Sequence, residues 1–162
     1  MIKKRVLSES LTLITTTRFA YKKIQSSTHR YQATIGIGGN VGDVLRRFHH
    51  LFFTLQADKR VEILQTAPIL KNPPFGYIDQ DDFLNSVIVL ATSMQPKVFL
   101  DFLMRLEKRF SRKRSFANAP RTLDLDILFF DNRVIDTLSL KVPHPHWMKR
   151  ESVLIPLSSM KK

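Results

Sequence analysis

Thr122-Leu123-Asp124-Leu125-Asp126-Ile127-Leu128-Phe129-Phe130 reads as a strand that closes at the turn Asp131-Asn132. Side chains two apart on a strand share a face. The period therefore puts Leu123, Leu125, Ile127 and Phe129 into a core and sets Asp124 and Asp126 together on the other side. Working outward, Pro96 suits the first turn of a helix, which runs to about Phe110 with Val98, Leu100, Phe102, Leu103 and Leu106 apolar. Before it, Phe83–Ala91 is an apolar run bounded by polar turns, a second strand. Asn72-Pro73-Pro74-Phe75-Gly76 is a loop, because two prolines forbid helix and central strand alike. Val61–Thr66 alternates and reads as a strand. Val44–Leu55 has helical spacing behind Asp43, a candidate N-cap. Gln32–Ile37 reads as a strand ended by the turn signal Gly38-Gly39-Asn40. The order is strand, helix, strand, strand, helix, strand. That is an α+β fold, the split β-α-β arrangement of an antiparallel sheet covered on one face by two helices.

A chain of 162 residues with 43% hydrophobic and 25% charged side chains has the make-up of one globular domain. No apolar run approaches the roughly 18 residues needed to cross a bilayer. With no cysteine, disulfides, thiolate zinc sites and cysteine nucleophiles are excluded, and a reducing, cytoplasmic setting is expected. The net charge of +12 is unevenly placed. Residues 1–31 carry seven Lys or Arg against one acid, Glu9, which is half of the net charge. This stretch lacks clean periodicity and reads as a loosely attached basic extension, with the domain proper at residues 32–162. The run from Lys108 to Arg121 holds six basic residues and no acid. Such a cluster attracts polyanions, including a nucleoside triphosphate, and it lies directly beside two carboxylates.

Those carboxylates carry the chemistry. Asp124 and Asp126 project together about 7 Å apart along the strand, close enough to repel unless a cation intervenes. Oxygen ligands at that spacing suit Mg²⁺, which takes one or two carboxylates and completes its shell with substrate phosphates. Arg112, Arg114 and Arg121 supply forked donors for phosphoryl oxygens. They sit in a Ser-, Ala- and Asn-containing loop that suits a closing lid. In Val142-Pro143-His144-Pro145-His146-Trp147, two prolines fix the backbone around His144, which can donate to a phosphate oxygen; His146 reads as a surface histidine. Asn85 lies inside an apolar strand, where a buried amide needs partners that a bound heterocycle can provide; Phe75 and Phe83 are candidates to stack on it. The glycines of Gly36–Gly42 match neither a P-loop nor G-x-G-x-x-G, and a turn with a close helix–strand approach accounts for them.

As a set, these segments resemble the 6-hydroxymethyl-7,8-dihydropterin pyrophosphokinase family of folate biosynthesis, over roughly residues 33–157. The most specific part is Ala119-Pro120-Arg121-Thr122-Leu123-Asp124-Leu125-Asp126-Ile127, supported by Gly36–Asp43, Asn72–Gly76, Asp82–Asn85 and Val142–His144. The resemblance implies a ferredoxin-like fold and a monomeric, cytoplasmic transferase that needs neither nucleic acid nor membrane. ATP would pass its β,γ-pyrophosphoryl unit to the pterin hydroxymethyl group, releasing AMP. It further implies that Asp124 and Asp126 hold two Mg²⁺ ions and that Arg112 and Arg121 act in catalysis. ATP would be bound by Arg112, Arg114, Arg121, Ile127, His144 and Arg150, and the pterin by Asn72, Pro73, Phe75, Phe83 and Asn85. The chain departs from the family where a second aromatic wall would fall at Ser152, with Phe75 or Trp147 as candidates to compensate. The loop before Pro120 is a residue shorter and lacks its usual tryptophan. An RNA-binding module is the rival reading of a basic split β-α-β sheet; it requires aromatics on adjacent central strands, which are missing, and leaves the two aspartates unexplained.

Overall fold

The computed structural model of the chain describes residues 1–110 and 120–161. Its elements are β1 (Lys3–Val6), β2 (Thr12–Thr15), β3 (Tyr31–Gly39), α1 (Val44–Ala57), β4 (Val61–Thr66), β5 (Ile69–Asn72), β6 (Phe83–Thr92), α2 (Pro96–Arg109), β7 (Asp124–Phe130), the short pair β8 (Ile135–Asp136) and β9 (Lys141–Val142), and α3 (Glu151–Ser158). The main sheet runs β1-β2-β5-β6-β3-β7, with β4 also on β6, and every pairing is antiparallel. Its centre, β4-β6-β3-β7 with α1 and α2 as crossovers, is the split β-α-β core expected from the sequence.

α1 and α2 pack on one face. Asp43 caps α1, its carboxylate accepting from the Arg46 N–H at 3.1 Å, and the stripe Phe48, Leu51, Phe52 and Leu55 is buried. α2 buries Phe99, Phe102, Leu103 and Leu106, whereas Val98, expected in the stripe, points outward at 51% exposure. The opposite face carries a smaller cluster of Ala67, Val87, Leu128 and Val153 under α3. That third helix was not expected. It is eight residues long and holds Pro156, so it offers too little periodicity to be read alone.

Three other expectations are corrected. β3 does not stop at Ile37 but runs through Gly39, because the glycines lie within the sheet and not in a turn. A bulge between Thr34 and Ile35 in the pairing of β3 with β7 places Leu128 outside the regular register. Phe129 consequently leaves the face of Leu125 and Ile127 and packs with Leu128 in the smaller cluster. Residues 1–31 are not loosely attached. β2 pairs with β5, Lys22 bridges Gln65, the Lys23 N–H donates to the Leu64 carbonyl at 2.8 Å, and Lys23 ion-pairs with Glu62. Phe19 is fully buried against Phe48 and Phe52, with ring centroids 5.9 and 6.2 Å away. The segment covers the outer edge of β5 from Ile69 to Lys71 and the end of β4 around Leu64–Thr66, backbone groups that would otherwise be unpaired.

Candidate active site

The β3 glycines make the floor of the site. Two cross-strand rows face α3: Asn85–Gly38–Asp124 and Val87–Gly36–Asp126. Directly opposed residues in an antiparallel sheet point to the same side. With no side chain at Gly38 or Gly36, the space between Asn85 and the two aspartates stays open. A Cβ on Gly38 would run into Asn85 Oδ1, and one on Gly39 would lie 2.6 Å from the Thr122 carbonyl oxygen. The glycines are therefore a packing requirement of a cleft, a reason invisible until the strands are paired.

That cleft has a volume of about 940 Å³ and gathers most of the residues singled out in the sequence. Asp124 and Asp126 lie on one wall, Asp126 exposed and Asp124 half-buried. The Arg121 Nε stands 3.5 Å from Asp124 Oδ2, and its guanidinium lies over the Phe83 ring, 5.9 Å from the centroid. The main chain of Arg121 is clamped by Asn40: the Arg121 N–H donates to Asn40 Oδ1 at 2.8 Å, and the Asn40 N–H to the Arg121 carbonyl at 2.9 Å. Asn40 Nδ2 in turn donates to Gln80 Oε1 and the Asp81 carbonyl, both at 2.9 Å. One buried amide thus ties the arginine to the loop that leads into β6. From the helix side, Glu107 Oε1 accepts the N–H of Leu125, the residue between the two aspartates, at 2.7 Å. Neither Asn40 nor Glu107 was found from sequence. The signal for Glu107 was a lone acid on the apolar stripe of α2, 7% exposed.

At the other end, Asn72, Pro73, Phe75, Phe83 and Asn85 line the same cleft. Asn72 Nδ2 donates to the Pro73 carbonyl at 3.1 Å, so its Oδ1 faces Asn85 and accepts from Asn85 Nδ2 at 2.7 Å. This leaves Asn85 Oδ1 over Gly38 as an acceptor for a ligand N–H. Phe83 is buried in the wall, while Phe75 is 85% exposed at the rim. Ser152 lines the cleft. Trp147 does not compensate for it: its ring meets Phe129 edge-on at 5.0 Å in the smaller cluster and does not line the cleft.

The third wall carries the cations Lys149 and Arg150, with His144, His146 and the acid Glu151 beside them. The His144 N–H donates to the Leu128 carbonyl at 2.9 Å, anchoring the segment on the β7 bulge. Its Nδ1 accepts from the His146 N–H at 3.2 Å, which leaves Nε2–H as the donor of the neutral ring. Burial, then Arg150 and His146, lower the His144 pKa below its ordinary value. His146 is an exposed surface residue, as expected, and it also lines the cleft. Ile127 does not line it: its side chain is 4% exposed in the helix-side core, so only its main chain can meet a nucleotide. Arg112, Arg114 and the lid expected around them lie outside the described residues.

Residues 34–162 match the family described as 7,8-dihydro-6-hydroxymethylpterin-pyrophosphokinase. A 2-amino-4-hydroxy-6-hydroxymethyldihydropteridine pyrophosphokinase of Campylobacter jejuni is 43% identical over 128 residues, covering 79% of this chain and 82% of the relative. Proteins with the same description from Helicobacter pylori and Bacillus subtilis are 37% identical over 150 residues and 35% over 128 residues. The first pairing covers 90% of this chain and 91% of the relative, and the second 79% and 77%. With the aspartate pair, the glycine floor and the amide pocket in one cleft, and with relatives this similar along most of their length, the chain belongs to the 7,8-dihydro-6-hydroxymethylpterin-pyrophosphokinase family.

Proposed function

We propose that the chain transfers the β,γ-pyrophosphoryl unit of ATP to the hydroxymethyl oxygen of 6-hydroxymethyl-7,8-dihydropterin, giving AMP and the pterin diphosphate, in folate biosynthesis. The observation that carries this reading is a cleft holding an amide-floored pocket at one end, cations at the other, and two carboxylates between them. The pterin sits in the pocket, its lactam edge on Asn85 and one face on Phe83. The triphosphate runs along His144, Arg150 and Arg121, with Arg112 and Arg114 completing its binding and Arg112 acting with Arg121 on the transferring group. The adenine end reaches the Ile127 main chain. The hydroxymethyl oxygen attacks the β-phosphorus; its bond to the oxygen bridging the α-phosphate breaks, AMP leaves with the bond pair, and the hydroxyl proton passes to solvent.

Asp124 and Asp126 fit Mg²⁺. They are oxygen donors on one wall of the cleft, and among the described residues no third His, Cys, Asp or Glu joins them. Most of the coordination shell is therefore left for phosphate and water, as Mg²⁺ takes it. Two bound ions would neutralise phosphate charge and acidify the attacking hydroxyl. Arg121, held beside Asp124, adds a donor where charge grows in the transition state. Holding both substrates in one cleft supplies the in-line approach. The reading extends to a cytoplasmic monomer; no helix among the described residues is long and apolar enough to cross a membrane. The test is product analysis with ATP, Mg²⁺ and the hydroxymethyl pterin. AMP with pterin diphosphate is expected, and ADP with pterin monophosphate, or no product, would overturn the assignment.

A further inference from the structure

The N-terminal segment lies outside the family match, which begins at residue 34, yet it is built into the sheet beside the pocket. Leu13 of β2 pairs with Leu70 of β5, and Leu70 pairs in turn with Asn85 of β6. Asn85 continues to Gly38 and Asp124. One unbroken cross-strand row thus runs from the N-terminal strand to the pocket amide and the first carboxylate. Residues in such a row share a face, so Leu13 and Leu70 stand on the same side of the sheet as Asn85. Both are buried, at 6% and 0% exposure. β5 is only four residues long, follows Pro68, and ends at Asn72, the residue that accepts from Asn85. Without β2, β5 would be a short edge strand, the kind most prone to fraying.

We infer that β2 is a positioning element of the pterin pocket: it holds β5 in register, so that Asn72 orients the Asn85 carboxamide. The inference rests on the pocket assignment given above. The cationic wall, residues 144–150, is anchored on β7 through the Leu128 carbonyl and includes no residue of β2. Loss of β2 therefore weakens the pterin, held by residues of β5 and β6, more than the nucleotide.

Leu13 and Ile14 make a matched pair for the test. They are adjacent in β2 and almost equally buried, but Ile14 faces the α1–α2 core. Calorimetric titration below the melting temperature measures the Kd of a non-hydrolysable ATP analogue alone, and then of the pterin in its presence. Leu13→Ala is expected to weaken the pterin a few-fold and deletion of residues 1–16 by about tenfold, the size of coupling between neighbouring packed elements, with analogue affinity within about twofold in both. Ile14→Ala is expected to lower the melting temperature like Leu13→Ala and to leave both affinities alone. Asn72→Ala should weaken the pterin, and combining it with Leu13→Ala should weaken it less than the product of the two effects, because both act through Asn85. Equal loss of pterin affinity in Leu13→Ala and Ile14→Ala, or none in Leu13→Ala, would overturn the inference; if the deletion variant does not fold, this pair decides alone. Failure of the wild-type chain to bind the pterin at all would instead sink the pocket assignment.

Discussion

The two outer regions of the sheet divide stability from chemistry. β7 keeps one face in the core through Leu125 and Ile127 and leaves the other to the cleft, where Asp124 and Asp126 stand. β2, near the opposite edge, is covered on both sides, so Leu13 and Ile14 are buried in succession. A carboxylate can stay ionised on β7 because water and ligand reach it; on β2 it would have to be desolvated. The charge follows the same division. None of the seven basic residues of 1–31 lines the cleft, Lys3, Lys4 and Arg5 being exposed on β1, so half of the net charge lies outside it. The cations that line the cleft are Arg121, Lys149 and Arg150. A site therefore forms where burial is incomplete on one face, not where charge is densest.

The comparison breaks first if β7 tolerates loss of its acids. Asp126→Ala and Asp124→Ala are each expected to lower kcat by roughly 10³-fold or more, the order of removing the charge stabilisation on which phosphoryl transfer depends. The melting temperature should stay close to wild type, since Asp126 is exposed and neither side chain is part of the core. Steady-state AMP formation and thermal denaturation measure the two sides. A stable fold with full activity would remove the carboxylates from the mechanism. The next effect is that of Arg121→Ala, roughly 10²-fold in single-turnover rate with a smaller change in pterin affinity, because the partner charge peaks in the transition state. Loss confined to binding would make Arg121 a ground-state anchor.

The same contrast explains what could be read from the chain. β7 was legible because a strand with one wet face writes its period into the sequence, as Leu-Asp-Leu-Asp does. The cleft residues Asn85, Phe83 and His144 could be named from residue type and motif. β2 was illegible because Thr12-Leu13-Ile14-Thr15 has no alternation to show: both faces are buried, and the reason, β5, lies more than fifty residues away. Phe129 was misplaced by a bulge, which shifts the period without leaving a mark. The role of Gly36 and Gly38 also depends on register, since only pairing sets them between Asn85, Val87 and the two aspartates.

Phe19→Ala sharpens the stability side of the comparison. The ring is fully buried against Phe48 and Phe52, and truncating such a side chain costs about 3–5 kcal/mol. Denaturant unfolding should show that loss, while kcat and both KM values, taken where the variant is folded, stay near wild type. Phe19 lies on the α1 side, away from the row that ends at Asn85. A marginal change in stability would mean that the N-terminal segment is held by β2 alone.

The smallest effect belongs to His144, on the β7 side. Burial is the largest cause that lowers its pKa, followed by Arg150 and then His146. Lys149 and Asp126 line the same cleft. In the unfolded chain the ring returns to a pKa near 6.5. As pH falls below that value, the unfolded state takes up a proton that the folded state still refuses. Stability is therefore complete above about pH 6.5, declines as pH drops toward the lowered folded pKa, and levels off beneath it. His144→Gln removes this contribution and keeps a side chain able to donate. Between about pH 7.5 and 5.5 the wild-type denaturation midpoint should fall more steeply than that of the variant. His49 is shifted in the same direction, by burial and then Arg18, but it is present in both proteins and cancels in the difference. Parallel midpoint curves would show that His144 titrates as it does in water, with its ring open to solvent and not held against the cleft by the His146 N–H.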